Sequence, residues 1–221
     1  MTIRPRSLVL TALALALSAL SLAPSGAFGE NQRRSYGFRV GYWIPTETLI
    51  RDALGSGVAF GGTFSLPLRS NRWIDFQLGY WSGSGDLEPL EYETIPGAVT
   101  YRTSDMRLIP LSLSLRFEGQ PLSGVKPFIL GGVDLNSVRE EVAFRETTPG
   151  EPDNTGTNTI SNAFLGFHVG GGAETDLRPT MSLFAEGRVS IVNADTEGVG
   201  GLLVGGVSLG GVWISGGLRF K

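Results

Sequence analysis

From Ser35 onward the chain repeats one pattern, in which every second residue is apolar and the residues between carry charge, hydroxyl or no side chain. In LFAEGRVSI, Leu183 to Ile191, the odd positions Leu183, Ala185, Gly187, Val189 and Ile191 hold no polar group, while Phe184, Glu186, Arg188 and Ser190 mix a ring with two charges and a hydroxyl. A period of two is the signature of a β-strand with two unlike faces. The same reading predicts strands over Ser35 to Pro45, Val58 to Leu68, Trp73 to Trp81, Ile109 to Phe117, Pro127 to Asn136, Ala163 to Ala173 and Val212 to Phe220. Tight polar links, such as Arg69 to Arg72 and Asp176 to Thr180, alternate with longer ones, and Ser82 to Asp105 and Ser137 to Asn158 read as long exposed loops.

Eight strands of about ten residues each are long enough to cross bilayer hydrocarbon when tilted, and alternating short and long links suit an up-and-down barrel. The charges decide which face meets water. Each apolar parity is nearly free of charge, and the opposite parity collects Arg39, Asp75, Arg116, Asp134, Glu174, Glu186, Arg188 and Arg219. A soluble calyx would turn these outward. Four bases matched by four acids suit a shared interior instead, because unpaired buried charge is very costly. The expected fold is all-β: an eight-stranded antiparallel transmembrane β-barrel with charge inside, lipid outside, and an interior ion-pair network that is either static or gating. Pro67 and Pro110 oppose a closed ladder and must sit at bulges or beyond the paired region. A soluble periplasmic lipocalin-like carrier is the inverted alternative.

Composition adds a compartment. The chain has 221 residues with 32 glycines and no cysteine, which fits close-packed strands and offers no disulfide frame. Arg4 and Arg6 precede an apolar run from Leu8 to Leu22, followed by Pro24 and the small residues Ser25, Gly26 and Ala27. Residues 1–27 therefore read as a cleavable signal peptide, 28–34 as a periplasmic N-terminal segment and 35–221 as the barrel. The formal net charge of −3 becomes more negative once a leader with two arginines and no acid is removed, so nucleic acid is not an expected partner.

Three stretches carry a family resemblance: GYWIP at Gly41 to Pro45, IPLSLSLRF at Ile109 to Phe117 leading into VKPFILGGVDL at Val125 to Leu135, and the closing GGLRF at Gly216 to Phe220. In these the chain resembles the small bacterial outer-membrane β-barrels, most closely the OmpW group and more loosely OmpX and the OmpA membrane domain. The resemblance implies residence in the outer membrane, contact with membrane lipid and lipopolysaccharide, and handling by the barrel-assembly machinery, and a monomer is the default expectation. It also implies one candidate activity, passage of small hydrophobic molecules through an apolar upper lumen. Such families usually end on an aromatic residue, whereas here Lys221 follows Phe220.

Candidate chemistry is sparse. His168 is the single histidine. Lipid A deacylases of this size use a histidine with a serine two residues on, but here Val169 and Gly170 follow, so His168 reads as an interior packing and hydrogen-bonding residue. One histidine and no cysteine leave no zinc site, and no Gly-Lys-Ser/Thr motif cradles a phosphate. The expectation is a barrel with a structural or surface-interaction role and no catalytic residue, cofactor or metal.

Overall fold

The computed structural model describes residues 34–69, 71–91, 99–194 and 207–221. The predicted leader and most of the N-terminal segment lie outside these. Within them the chain forms β1 (Ser35–Pro45), α1 (Thr48–Leu54), β2 (Gly57–Arg69), β3 (Arg72–Glu91), β4 (Val99–Glu118), β5 (Val125–Thr147), β6 (Asn154–Arg178), β7 (Met181–Ala194) and β8 (Gly211–Phe220). A two-residue strand, Val207–Ser208, pairs with the end of β7. Each long strand pairs antiparallel with its sequence neighbour, and β8 returns to pair with β1, so eight strands close into a ring.

The register fixes the tilt. Ser35 pairs with Ser65, then Asp75, Ser114, Gly132, His168, Ser190 and Gly211 follow across successive strands, and Gly211 pairs with Pro45. One circuit thus returns ten positions further along β1, from Ser35 to Pro45. With about 3.3 Å per residue and 4.8 Å between strands, that stagger tilts the strands roughly 40° from the barrel axis.

The outward parity is an apolar belt that includes Phe38, Phe60, Leu78, Leu113, Ile129, Phe167, Ile191 and Ile214, all exposed. Burying such a surface against hydrocarbon is what a transmembrane barrel requires, and the closed ladder satisfies the backbone. The inward parity of every strand carries the polar side chains.

Two expected loops are instead strand. Most of Ser82 to Asp105 belongs to β3 and β4, and most of Ser137 to Asn158 to β5 and β6. These four strands have 20 to 25 residues, against 10 to 14 for the other four. A four-stranded sheet therefore stands above the rim on one side of the barrel. Above the belt its outward face turns polar, while its inward face mixes apolar Met106, Val138 and Val142 with buried Ser104 and Glu140. The acidic stretch from Asp86 to Glu93 belongs partly to β3, and residues 92–98 lie outside the described ones.

The prolines resolve differently from each other. Pro67 pairs with Trp73 next to a register irregularity at the turn end of β2. Pro110 sits in the middle of β4, where the β3–β4 ladder skips from Leu78–Leu111 to Trp81–Leu108 without a change of register. It is no bulge: a missing donor leaves a gap two pairs long, and a Cβ on facing Gly79 would come within 2.8 Å of the Pro110 ring.

The first outer connection folds inward as α1. Ile50 is fully buried and Leu54 nearly so, and the helix ends at Gly55, whose N–H donates to the Arg51 carbonyl (2.9 Å) and whose φ of 72° favours glycine. A Cβ on Gly85 of β3 would lie 1.8 Å from the Ala53 carbonyl oxygen, so only glycine lets the helix seat there.

Candidate functional site

Inward-facing residues from all eight strands build a lumen in three levels. At the end shared by both termini, Arg116 reaches Asp75 (2.9 Å), Glu118 (2.6 Å) and Glu174 (3.4 Å). Glu174 also takes an ion pair from Arg219 and a hydrogen bond from the Ser182 hydroxyl at 2.5 Å. Arg116 lies between the rings of Trp73 (5.1 Å) and Phe128 (5.5 Å), and Arg219 lies over Phe184 at 5.0 Å. Planar guanidinium groups stack on rings while keeping their edge donors free for carboxylates.

Below this level an open vestibule of about 600 Å³ faces the terminal end. Outside the spanning segments, Asp176 accepts hydrogen bonds from Lys126 (2.8 Å) and Lys221. Burial pushes its carboxyl upward and those bonds more than reverse it, so Asp176 sits below the ordinary carboxylate range.

In the middle level Gln77 joins two like charges. Its Oε1 accepts from Arg39 (2.6 Å) and from Arg188 (3.0 Å), holding the guanidiniums together while Glu186 stands 3.4 Å from Arg39. Arg188 also donates to Ser112 (3.1 Å), lies 3.9 Å from Asp134 and stacks on Trp213 at 5.4 Å. All eight residues singled out by parity are buried here. They divide into two sets, Asp75, Arg116, Glu174 and Arg219 at the terminal end, and Arg39, Asp134, Glu186 and Arg188 above them.

The upper level is largely apolar but includes the fully buried Glu140, which accepts a hydrogen bond from the Ser104 hydroxyl at 2.8 Å. Trp43 packs on Trp81 (4.4 Å between ring centres) and Trp213 (5.8 Å). Met106, Leu108, Val138, Val142, Ile160, Val192 and Leu209 fill the space up to Ile50 and Leu54 of α1. The eight charges thus fill the lower lumen, and a largely hydrophobic plug that encloses Glu140 closes the upper part.

His168 forms the one constellation with nucleophilic chemistry. Its Nε2 lies 2.8 Å from the Ser114 hydroxyl and its Nδ1 lies 2.9 Å from Asp134. Serine, histidine and aspartate come from β4, β6 and β5, and Gly132 between Ser114 and His168 in the row lets the two side chains meet. The order is that of a catalytic triad, but three features differ. Nδ1 approaches Asp134 without a directed hydrogen bond. The Ser114 backbone is committed to the β4 ladders, leaving no pair of free N–H groups for an oxyanion. Ser114 is 1% exposed and its hydroxyl points into the packed interior. The arrangement holds a buried imidazole in place: with a carboxylate at Nδ1, Nε2 accepts from the serine. Replacing His168 with Leu should cost about 1–3 kcal/mol by leaving the buried Ser114 hydroxyl short of its partner. Urea unfolding in vesicles reads this, and an unchanged midpoint would mean that His168 holds nothing.

Parity alone missed Gln77, Ser112, Ser114 and Ser182. They fall on the inward parity, but only the pairing register shows that they lie beside the charges. The upper plug was also missed, because its parts come from α1 and from strand extensions that lack a lipid-facing contrast.

No protein-family model matches the chain, and no curated protein matches it in sequence. Solved structures do match. The chain is similar to surface protein A of Neisseria, at 16% identity over 85% of this chain and 96% of that one, with a TM-score of 0.51. It is also similar to a major outer membrane protein of Thermus thermophilus (15% identity, 86% and 99% covered, TM-score 0.45) and to Ail, the attachment invasion locus protein of Yersinia pestis (13%, 86% and 100%, 0.41). The first of these carries the comparison, and what it shows is the fold: a small eight-stranded outer-membrane barrel.

Proposed function

We propose that this protein is an outer-membrane barrel that acts through its exterior, with a sealed lumen that serves as a structural core and catalyses nothing. The filling of the interior supports this reading most directly. Ion pairs occupy the lower half, the tryptophan cluster the upper half, and α1 closes the mouth. What projects from the membrane is the tall sheet β3–β6, whose outward face offers Ser84, Asp105, Glu141, Thr157 and Thr159 to the surroundings. A rigid sheet raised on a filled barrel presents contacts to partners outside the cell and conducts nothing.

Planar-bilayer recording tests the seal: the purified barrel should give no conductance steps, and stepwise currents would overturn the reading. The triad is tested separately. A fluorophosphonate probe in detergent should leave Ser114 unlabelled, because the residue is buried and its hydroxyl is engaged by His168, and labelling lost in Ser114→Ala would make the protein an enzyme.

One observation favours a second reading, sideways passage of small hydrophobic molecules. At the ladder gap beside Pro110, a cavity of about 10 Å³, room for one water, is lined both by inward Arg39 and Gln77 and by outward Phe60 and Leu78. Uptake of an apolar dye into vesicles at the lipid-only rate is the expected result, and faster uptake would favour passage.

A further inference from the structure

Where the tall sheet leaves the apolar belt, its first polar row runs Ser82, Arg107, Arg139, Ser161 across β3, β4, β5 and β6. All four residues face outward and are exposed. The row is unusual because Arg107 and Arg139 are direct cross-strand partners. Like charges placed opposite each other destabilise a sheet unless something neutralises them. Arg139 has one ion pair, to Glu141 on its own strand, at 3.6 Å between half-exposed side chains. Arg107 has none among the described residues. The acids of the neighbouring row reach Arg139 once, at 3.6 Å, and make no ion pair with Arg107 among the described residues.

The surroundings identify what neutralises the pair. Toward the membrane, the next outward row holds Ile109, Ser137 and Ala163 and the one after it Leu78, Leu111, Leu135 and Leu165, so the guanidiniums stand at the edge of the hydrocarbon. Away from it, the next row is Ser84, Asp105, Glu141, Thr159, whose acids repel an anion that moves higher. Across the barrel, the outward rim positions Ile44, Val58, Asn193 and Val212 carry no cation. A negative group held between these rows lies at the depth of lipid headgroups. Guanidinium forks bind phosphate oxygens in pairs, and the flanking hydroxyls add two more donors.

We propose that Ser82, Arg107, Arg139 and Ser161 form a site for the phosphate of an outer-leaflet lipid headgroup, which pins the tall sheet at a fixed height in the membrane. This rests on the outer-membrane reading, since that decides which leaflet the row meets.

The test uses the full mature barrel in phosphatidylcholine nanodiscs doped with bisphosphorylated lipid A or with the same lipid after phosphatase treatment, and measures lipid retained on the released protein by native mass spectrometry. The phosphorylated form should be retained and the dephosphorylated form lost. In Arg107→Gln/Arg139→Gln retention should fall about tenfold, as expected from losing charge-assisted bonds, while Arg145→Gln, higher on β5 and paired with Asp153, leaves it unchanged. Heat-dependent gel mobility confirms that each variant is folded. Equal retention of both lipids, or full retention by the double variant, overturns the site. Displacement by millimolar inorganic phosphate would assign the row to a free anion and overturns the lipid. A protein that fails to insert into any bilayer would overturn the outer-membrane reading and not the site chemistry.

Discussion

Replacing Arg116 with Met should destabilise the barrel by about 3–5 kcal/mol, the usual consequence of removing one partner from a buried charge cluster. Three carboxylates surround this guanidinium, and they differ in what remains afterwards. Glu174 keeps Arg219, Lys221 and the Ser182 hydroxyl. Asp75 has no other ion pair among the described residues, and it is fully buried. Asp75 should therefore carry most of the loss. Adding Asp75→Asn to Arg116→Met should recover a large part of the stability, because an amide can be buried far more cheaply than a lone carboxylate. Urea unfolding of the four proteins of this double-mutant cycle in vesicles separates the pair from the rest of the network. If Asp75→Asn made the Arg116 variant worse, the carboxylate would be held by something other than Arg116.

The second large effect belongs to a residue with no side chain. Gly132→Val should prevent the native barrel from forming, because a Cβ at 132 would lie 1.9 Å from the Leu113 carbonyl oxygen and 2.8 Å from the Ser114 Cα, both backbone. No rotamer relieves a clash with a ladder that is itself closed. Gly187→Ala on the lipid face is the matched control: a Cβ there meets nothing within 4 Å, and the change should stay within about 0.5 kcal/mol. Heat-dependent mobility distinguishes them. A fully shifted Gly132→Val band would mean that β4 and β5 can separate further than their register suggests.

How much of this was legible depended on contrast between the two faces of a strand. In the membrane the contrast is maximal, so Arg39, Asp75, Glu186 and their fellows could be assigned to one side by counting in twos. Above the rim it fades. Ser82, Ser84 and Asp86 alternate with Gly83, Gly85 and Leu87, and two glycines in three inward positions leave no apolar signal, although those glycines are what admits α1. The helix itself buries only Ile50 and Leu54, one turn apart, too short a run for helical periodicity to register. Ser114 and His168 are separated by 54 positions and meet over a glycine on a third strand, so no local spacing announces them. Pro110 is a difficulty visible in the sequence whose solution is not, since the ladder tolerates two skipped pairs and keeps its register on both sides.

The seam between β1 and β8 joins the two ends of the barrel, Tyr36 to Phe220 and Pro45 to Gly211. Every other ladder of the ring joins strands consecutive in the chain, so their loops close early and at small entropic cost, whereas this one waits for nearly the whole polypeptide. The plug sits on the early side of that order, because α1 follows β1 directly and packs on β3 and β4. The helix and its tryptophan bed can thus be laid down on an open, curved sheet and walled in afterwards. Assembly then has a natural last step, and reopening the same seam is the shortest route by which the finished barrel comes apart.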